Sequence, residues 1–162
     1  MNANSLIGLG ANLGDARQTL LDALAELKSS PGILKLECSR FYASDPVDAQ
    51  GPVFINAVAS LETTLTPIYL LDLLQSLEQR HGRARPYRNA PRTLDLDLLW
   101  YDGIEIATPR LILPHPRMHQ RAFVLLPLKE LAPDLHMAQG SIDALLKACS
   151  EQKLWLLQDH CA

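Results

Sequence analysis

Pro91-Arg92-Thr93-Leu94-Asp95-Leu96-Asp97 is the stretch on which the fold turns. A β-strand projects alternate side chains to opposite faces. Leu94, Leu96 and Leu98 then point into a core, and Asp95 and Asp97 share the other face. Two adjacent carboxylates repel unless positive charge lies between them. Magnesium is the natural candidate, because this hard cation takes carboxylate oxygens and keeps places for phosphates. Just upstream, Arg83, Arg85, Arg88 and Arg92 cluster in a loop rich in Gly and Pro. Guanidinium groups beside a carboxylate pair point to a polyphosphate site. An ordinary half-exposed strand with a polar outer face would also carry Asp-x-Asp. The arginine cluster favours the phosphate reading.

Outward from this strand the pattern alternates between two periods. Ser5–Leu9 reads as a short strand that runs into a glycine-rich turn, Gly8 to Gly14. Asp15 reads as an N-cap, and Leu20, Leu21, Leu24 and Leu27 predict a helix over 15–29. Ile33–Tyr42 and Val53–Thr63 alternate as strands, separated by a loop with Pro46 and Pro52. Thr66-Pro67 starts a second helix that runs to about Arg80, with Leu70, Leu71, Leu74 and Leu77 on its buried stripe. Gly82 stops it. After the aspartate strand, Asp102-Gly103 signals a hairpin and Glu105-Ile106 a returning strand. Arg121–Leu131 predicts a short helix or turn, and 141–154 a last helix.

The order strand, helix, strand, strand, helix, strand is the ferredoxin-like βαββαβ pattern of an α+β fold. Two helices pack on one face of a mainly antiparallel sheet, with C-terminal additions. The face that carries Asp95 and Asp97 stays available for substrate. No linker divides the chain, so residues 1–162 are read as a single domain.

Composition narrows the class. A chain of 162 residues with 48% hydrophobic content buries a good-sized core. A net charge of -3 argues against a general nucleic-acid binder. Cys38, Cys149 and Cys161 give neither a disulfide framework nor a zinc spacing, which fits a reducing cytoplasm. No apolar run approaches the ~20 residues that span a membrane, and no signal peptide is evident.

Other residues carry two readings each. The glycine turn cradles phosphate or, more simply, lets the backbone pass tightly. Gln75 and Glu78 are a solvated helix face, or they order the arginine loop or reach a magnesium water. His115, framed by Pro114 and Pro116, is a capping residue or a phosphate contact. On their strand, Phe54 and Asn56 share a face, where a ring can stack on Phe54 and a heterocycle can pair with the amide.

Several segments occur together in order: Gly10-Ala11-Asn12-Leu13-Gly14-Asp15, Phe54-Ile55-Asn56-Ala57, Glu78–Arg85, Pro91–Asp97, Pro114-His115-Pro116 and Arg121–Leu128. The set resembles the 6-hydroxymethyl-7,8-dihydropterin pyrophosphokinases of folate biosynthesis, over about Ser5 to Leu135. That family is ferredoxin-like and transfers the terminal pyrophosphate of ATP to a reduced pterin, releasing AMP. The resemblance implies that Asp95 and Asp97 hold two Mg2+ ions on the ATP triphosphate. It implies phosphate contacts for Arg83, Arg92, His115 and Arg121, and a closing loop at Arg85. Gln75 and Glu78 are placed on the nucleotide side. Asn56 is implied to bond the pterin between Phe54 and Phe123, with Ser44 and Val47 lining the pocket. Phe54 stands where a tyrosine is common, and Asn89 stands where some relatives place an aromatic ring.

These readings predict a monomeric cytoplasmic enzyme with ATP and 6-hydroxymethyl-7,8-dihydropterin as substrates, and no nucleic-acid or membrane partner. Alternatives are an RNA-binding sheet, another magnesium-dependent phosphoryl or nucleotidyl transferase, and a nucleotide-binding domain without catalysis.

Overall fold

The computed structural model of the chain describes residues 2–12, 15–44, 53–81 and 94–157. In chain order the elements are β1 (Ala3–Ala11), α1 (Ala16–Ser29), β2 (Ile33–Cys38), β3 (Tyr42–Ser44), β4 (Phe54–Thr63), α2 (Pro67–His81) and β5 (Asp95–Tyr101). There follow β6 (Ile106–Ala107), β7 (Ile112–Leu113), α3 (Ala122–Leu131), β8 (His136–Met137), β9 (Gly140–Ser141), α4 (Ile142–Ala148) and β10 (Leu154–Leu156). The main sheet runs β10-β3-β4-β1-β5, with β2 also on β4, and every pairing in it is antiparallel. Taking β2 and β3 as one interrupted strand, this is the expected ferredoxin-like βαββαβ order.

Local chemistry sets the helix starts as read. The Asp15 side chain accepts from the Gln18 N–H at 3.1 Å and caps α1. Thr66 Oγ1 accepts from the Tyr69 N–H at 3.4 Å ahead of Pro67 in α2. The apolar stripes of both helices, Leu20, Leu24 and Leu27 with Leu70, Leu74 and Leu77, enter one core with Ile7, Leu9, Leu94, Leu96 and Leu98. Burying each such side chain contributes roughly 1.5–3 kcal/mol.

The C-terminal additions build a second core on the opposite face. There Leu6, Val58 and Leu99 from the sheet meet Met118, Val124, Leu125 and Leu128, with Ile142 and Leu145 from α4 behind them. The face that carries the aspartates is therefore covered where Leu6, Val58 and Leu99 lie.

Four expectations need correction. Gly8 and Gly10 are not in a turn, because β1 runs on to Ala11 and pairs both glycines on either side. Ile33–Tyr42 is not one strand, because the Ser39 hydroxyl takes the Val58 N–H at 3.0 Å and donates to the Arg40 carbonyl at 2.8 Å. The Ser39 N–H still donates to the Val58 carbonyl at 2.8 Å, but its hydroxyl takes the return bond of the ladder, and the chain kinks between β2 and β3. The expected turn at Asp102 (φ 48) and Gly103 (φ 73) is present, with both residues at positive φ. The strand after it nonetheless pairs with β7 instead of returning along β5, for a reason given below. Finally, the helix expected over 141–154 ends at Ala148, and β10 follows it, adding an edge strand to β3.

Glu130 of α3 closes the kink from the far side. Its carboxylate accepts from the Arg40 N–H at 3.0 Å and from the Tyr42 hydroxyl. Burial, helped by the Glu130 carboxylate, pushes the Tyr42 phenol up to about 12 from its ordinary 10.0. A raised pKa gives stability that is complete below pH 10 and lost as the pH climbs towards 12. In urea unfolding, the stability gap between the native chain and Tyr42→Phe is expected to be constant from about pH 7 to 9 and to shrink above about pH 10. A gap that does not change across that range contradicts the assignment.

Candidate active site

The register of β1 lays the site out. Gly10 lies opposite Asn56 of β4 on one side and opposite Asp95 of β5 on the other. Directly opposite residues of an antiparallel sheet share a face. Asn56, Gly10 and Asp95 thus form one row, extended outward by Tyr42, which is paired with Asn56. In the next row on the same face Gly8 separates Val58 from Asp97. Glycine at position 10 leaves the floor bare between the amide and the carboxylate. A Cβ there would stand 3.3 Å from Asn56 Oδ1.

Asn56 is 4% exposed, and its Nδ2 donates to Ser44 Oγ at 2.8 Å. Ser44, on β3, pairs with Phe54, which is half-buried at the end of β4. The predicted grouping of Ser44, Phe54 and Asn56 is therefore present.

Glu78 is buried at 5% exposure, and its Oε2 accepts from the Leu96 N–H at 2.9 Å. Leu96 stands between Asp95 and Asp97, so this bond holds the peptide that spaces the two carboxylates. Glu78 is thus not part of a solvated face. A second bond ties the same edge, with the His115 N–H donating to the Leu99 carbonyl at 2.8 Å. Together they occupy the outer edge of β5, and this explains why the chain beyond Gly103 cannot pair there.

Leu99 itself is a β-bulge. Leu6 pairs with Trp100 and Ile7 with Leu98, so Leu99 is the extra residue. Its side chain turns into the second core, where it is fully buried. The Pro114–Pro116 segment lies against β5 through the His115 bond to the Leu99 carbonyl, and His115 and Asp97 line one cleft. Burial holds the His115 pKa below its ordinary value, and the Arg121 and Arg117 charges add to this, against the pull of Asp97. His115 Nδ1 accepts from the Arg117 N–H at 3.1 Å. The neutral ring therefore carries its proton on Nε2.

Arg121 occupies the N-cap of α3, where small polar residues are usual. Its guanidinium lies 5.5 Å from the centroid of the Phe123 ring. The two residues stand together, and at most one face of Phe123 is left for a planar ligand. Beside Asp97 a cleft of about 330 Å³ opens between α2 and the Pro109–Pro116 segment, lined by Leu71, Gln75, Leu98, Arg110, Ile112 and His115. Gln75 Oε1 accepts from Arg110 at 3.2 Å, so the predicted Gln75 lies in this cleft with a basic neighbour that the sequence did not single out. A separate hollow of about 270 Å³ near Lys35, Glu62 and Trp100 lies away from the carboxylates.

Four predicted residues, Val47, Arg83, Arg85 and Arg92, lie outside the described residues, as does Asn89. Two features escaped sequence reading. The Leu99 bulge has no trace in Leu98-Leu99, which obey alternation and enter opposite cores; the phase breaks only at Trp100. Glu130 has no local signal, because its contacts lie about 90 residues away in the chain.

Comparison with known proteins bears on this arrangement. Residues 6–133 match the family model for 7,8-dihydro-6-hydroxymethylpterin-pyrophosphokinase. A 2-amino-4-hydroxy-6-hydroxymethyldihydropteridine pyrophosphokinase from Pseudomonas aeruginosa is 44% identical over 145 residues, covering 88% of this chain and 90% of its own. The Bacillus subtilis protein of the same name is 41% identical over 144 residues, 88% of this chain and 86% of its own. Among solved structures, an HPPK-DHPS in complex with substrates superposes with a TM-score of 0.74 at 12% identity, over 93% of this chain and 44% of that one. The wild-type Plasmodium falciparum HPPK-DHPS with pteroate gives 0.73 at 12% identity, over 91% and 42%. The chain spans less than half of those two longer proteins, and the likeness to them is one of fold.

Replacing Glu78 by Ala leaves the Leu96 N–H buried without its acceptor. The expected loss is about 1–3 kcal/mol of unfolding free energy, measured by denaturant titration. Glu78→Gln keeps a carbonyl oxygen and is expected to lose less than half as much. Equal losses in the two variants would count against this role.

Proposed function

The chain belongs to the 7,8-dihydro-6-hydroxymethylpterin-pyrophosphokinase family, and from that premise we infer that it transfers pyrophosphate from ATP to the hydroxymethyl group of 6-hydroxymethyl-7,8-dihydropterin, releasing AMP, in folate biosynthesis. The observation that carries this reading is the Gly10 row. It sets an amide suited to a heterocycle and a carboxylate suited to a phosphate-bound cation two strand spacings apart, about 9.5 Å.

Pterin recognition falls to Asn56, held by Ser44, with Phe54 and Phe123 available for stacking. Val47 belongs to this pocket in the same reading. Asp95 and Asp97 would hold Mg2+, two ions in this proposal, beside the triphosphate. The donor set fits. Among the described residues no group of three or more His, Cys, Asp or Glu could enclose a metal, and two carboxylates suit an ion that keeps places for phosphate oxygens. Magnesium held there supplies charge neutralisation for the triphosphate oxygens.

The chain's own residues supply the remainder. Neutral His115 offers Nε2–H to a phosphate oxygen, and Arg121 presents fixed positive charge. Arg83, Arg85 and Arg92 are assigned further phosphate contacts on the strength of the resemblance. The cleft at Leu71, Gln75, Arg110 and Ile112 is the place for the nucleoside end of ATP, with apolar walls for a base and polar groups at the rim. Glu78 does not touch substrate in this account and acts through the Leu96 peptide. Such transfers need positioning and charge neutralisation more than covalent chemistry.

A monomer is proposed on the strength of the resemblance alone. A cytoplasmic setting is proposed because the spacing of the three cysteines in the sequence gives no disulfide framework. Among the described residues no helix is long and apolar enough to cross a membrane.

Incubation with ATP, Mg2+ and 6-hydroxymethyl-7,8-dihydropterin is expected to give stoichiometric, pterin-dependent AMP. ADP or free pyrophosphate as the product would overturn the reading. Asp97→Ala is expected to abolish AMP formation while the circular dichroism spectrum stays native, and near-normal turnover would refute its role. Pterin is expected to bind tightly only after a nonhydrolysable ATP analogue, and equal affinity with and without the analogue would sink this order.

A further inference from the structure

Arg121 is held by its backbone more completely than any helix-capping rule requires. Its own N–H donates to the Met118 carbonyl at 3.3 Å, and its carbonyl accepts from the Leu125 N–H at 2.9 Å and the Val124 N–H at 3.0 Å. The backbone of Arg121 is extended, with φ -118 and ψ 108. In that conformation the carbonyl of the preceding residue and the N–H of the following one point to the same side. Both are taken by a single side chain. Gln152 Nε2–H donates to the Gln120 carbonyl at 2.8 Å, and Gln152 Oε1 accepts from the Ala122 N–H at 2.9 Å. An amide is the side chain that offers a donor and an acceptor at this spacing. Here it behaves as a one-residue strand neighbour.

The need for it follows from the residue at the cap. An N-cap usually satisfies a helix's first amides with its own oxygen. Arginine has no acceptor, and its cation sits at the positive end of the helix dipole. A remote amide that satisfies the Ala122 N–H leaves the guanidinium uncommitted to the helix. Gln152 is itself anchored, because its N–H donates to the Cys149 carbonyl at 2.9 Å and Cys149 is buried in the second core. Two residues further on, β10 begins at Leu154, paired with Ser44 of the pterin pocket. The family match ends at residue 133, so this segment lies beyond it.

We propose that Gln152 is a positioning residue for triphosphate binding: it locks the peptides on either side of Arg121 so that the guanidinium is presented to phosphate. This rests on the reading above that Arg121 meets the triphosphate. Gln152 touches no substrate and acts only through Arg121.

The test is a double-mutant cycle read by binding of a nonhydrolysable ATP analogue with Mg2+. Gln152→Met preserves length and removes both bonds, and Gln152→Ala is the second variant. Each is measured at a temperature where circular dichroism shows it folded. Gln152→Met is expected to weaken analogue binding about five- to tenfold, the scale of one or two hydrogen bonds. In an Arg121→Met background the same change is expected to have almost no further effect. Pterin affinity measured with saturating analogue is expected to stay within about twofold, a change too small to signal a lost contact. Equal losses in both backgrounds, or no loss in either, would overturn the proposal. So would an Arg121→Met variant that binds the analogue normally. The outcomes separate from those for the overall reading: native protein that forms AMP but gives an additive cycle defeats only this inference. Native protein that forms no AMP but gives the non-additive cycle defeats only the assigned reaction.

Discussion

Everything at the site depends on the register of β1 between β4 and β5. One strand, hydrogen-bonded on both sides, decides that Asn56 and Asp95 flank Gly10, and that Asp97 lies beside Gly8. A slip of one residue would turn the carboxylates into the leucine core and the leucines of β5 out to solvent. The cores on both faces oppose that slip, because Leu94 and Leu96 fill one and Leu99 the other. Alternation carries Leu99 to the aspartate face, and the bulge lets Trp100 meet the same second core before Tyr101 returns to the first.

The second helical layer does more than cover the sheet. It carries Arg121 and Phe123, and through Glu130 it fixes the kink that leads to Ser44. It also occupies the surface that an RNA-binding sheet would use, since Leu6, Val58 and Leu99 lie beneath α3 and α4. The face is reduced to a pocket whose polar groups differ from side to side, with an amide and hydroxyl on β4 and β3 and carboxylates on β5.

Much of this was legible from residue order because local rules governed it. The caps at Asp15 and Thr66, the leucine stripes of α1 and α2, and the alternation in β5 depend on neighbours within a few positions. The turn at Asp102-Gly103 was readable for the same reason. Illegible were the features fixed by distant partners. Ser39 kinks a predicted strand only because Val58 lies opposite, and β6 leaves β5 only because Glu78 and His115 already hold that edge. Residues 149–157 carry weak periodicity, so their roles as an edge strand and as a clamp on Arg121 emerged only in three dimensions.

The central claim of the proposed function is spatial: the pterin at Asn56 and the cation at Asp95 share the Gly10 row, with Asp97 in the row beside it. Replacing Mg2+ by Mn2+ in the ternary complex with a nonhydrolysable ATP analogue and the pterin allows the distance to be read from paramagnetic relaxation of the pterin protons. The account predicts strong relaxation, corresponding to about 10 Å, two strand spacings. Pterin that is bound and saturated yet unaffected by the Mn2+ would contradict it.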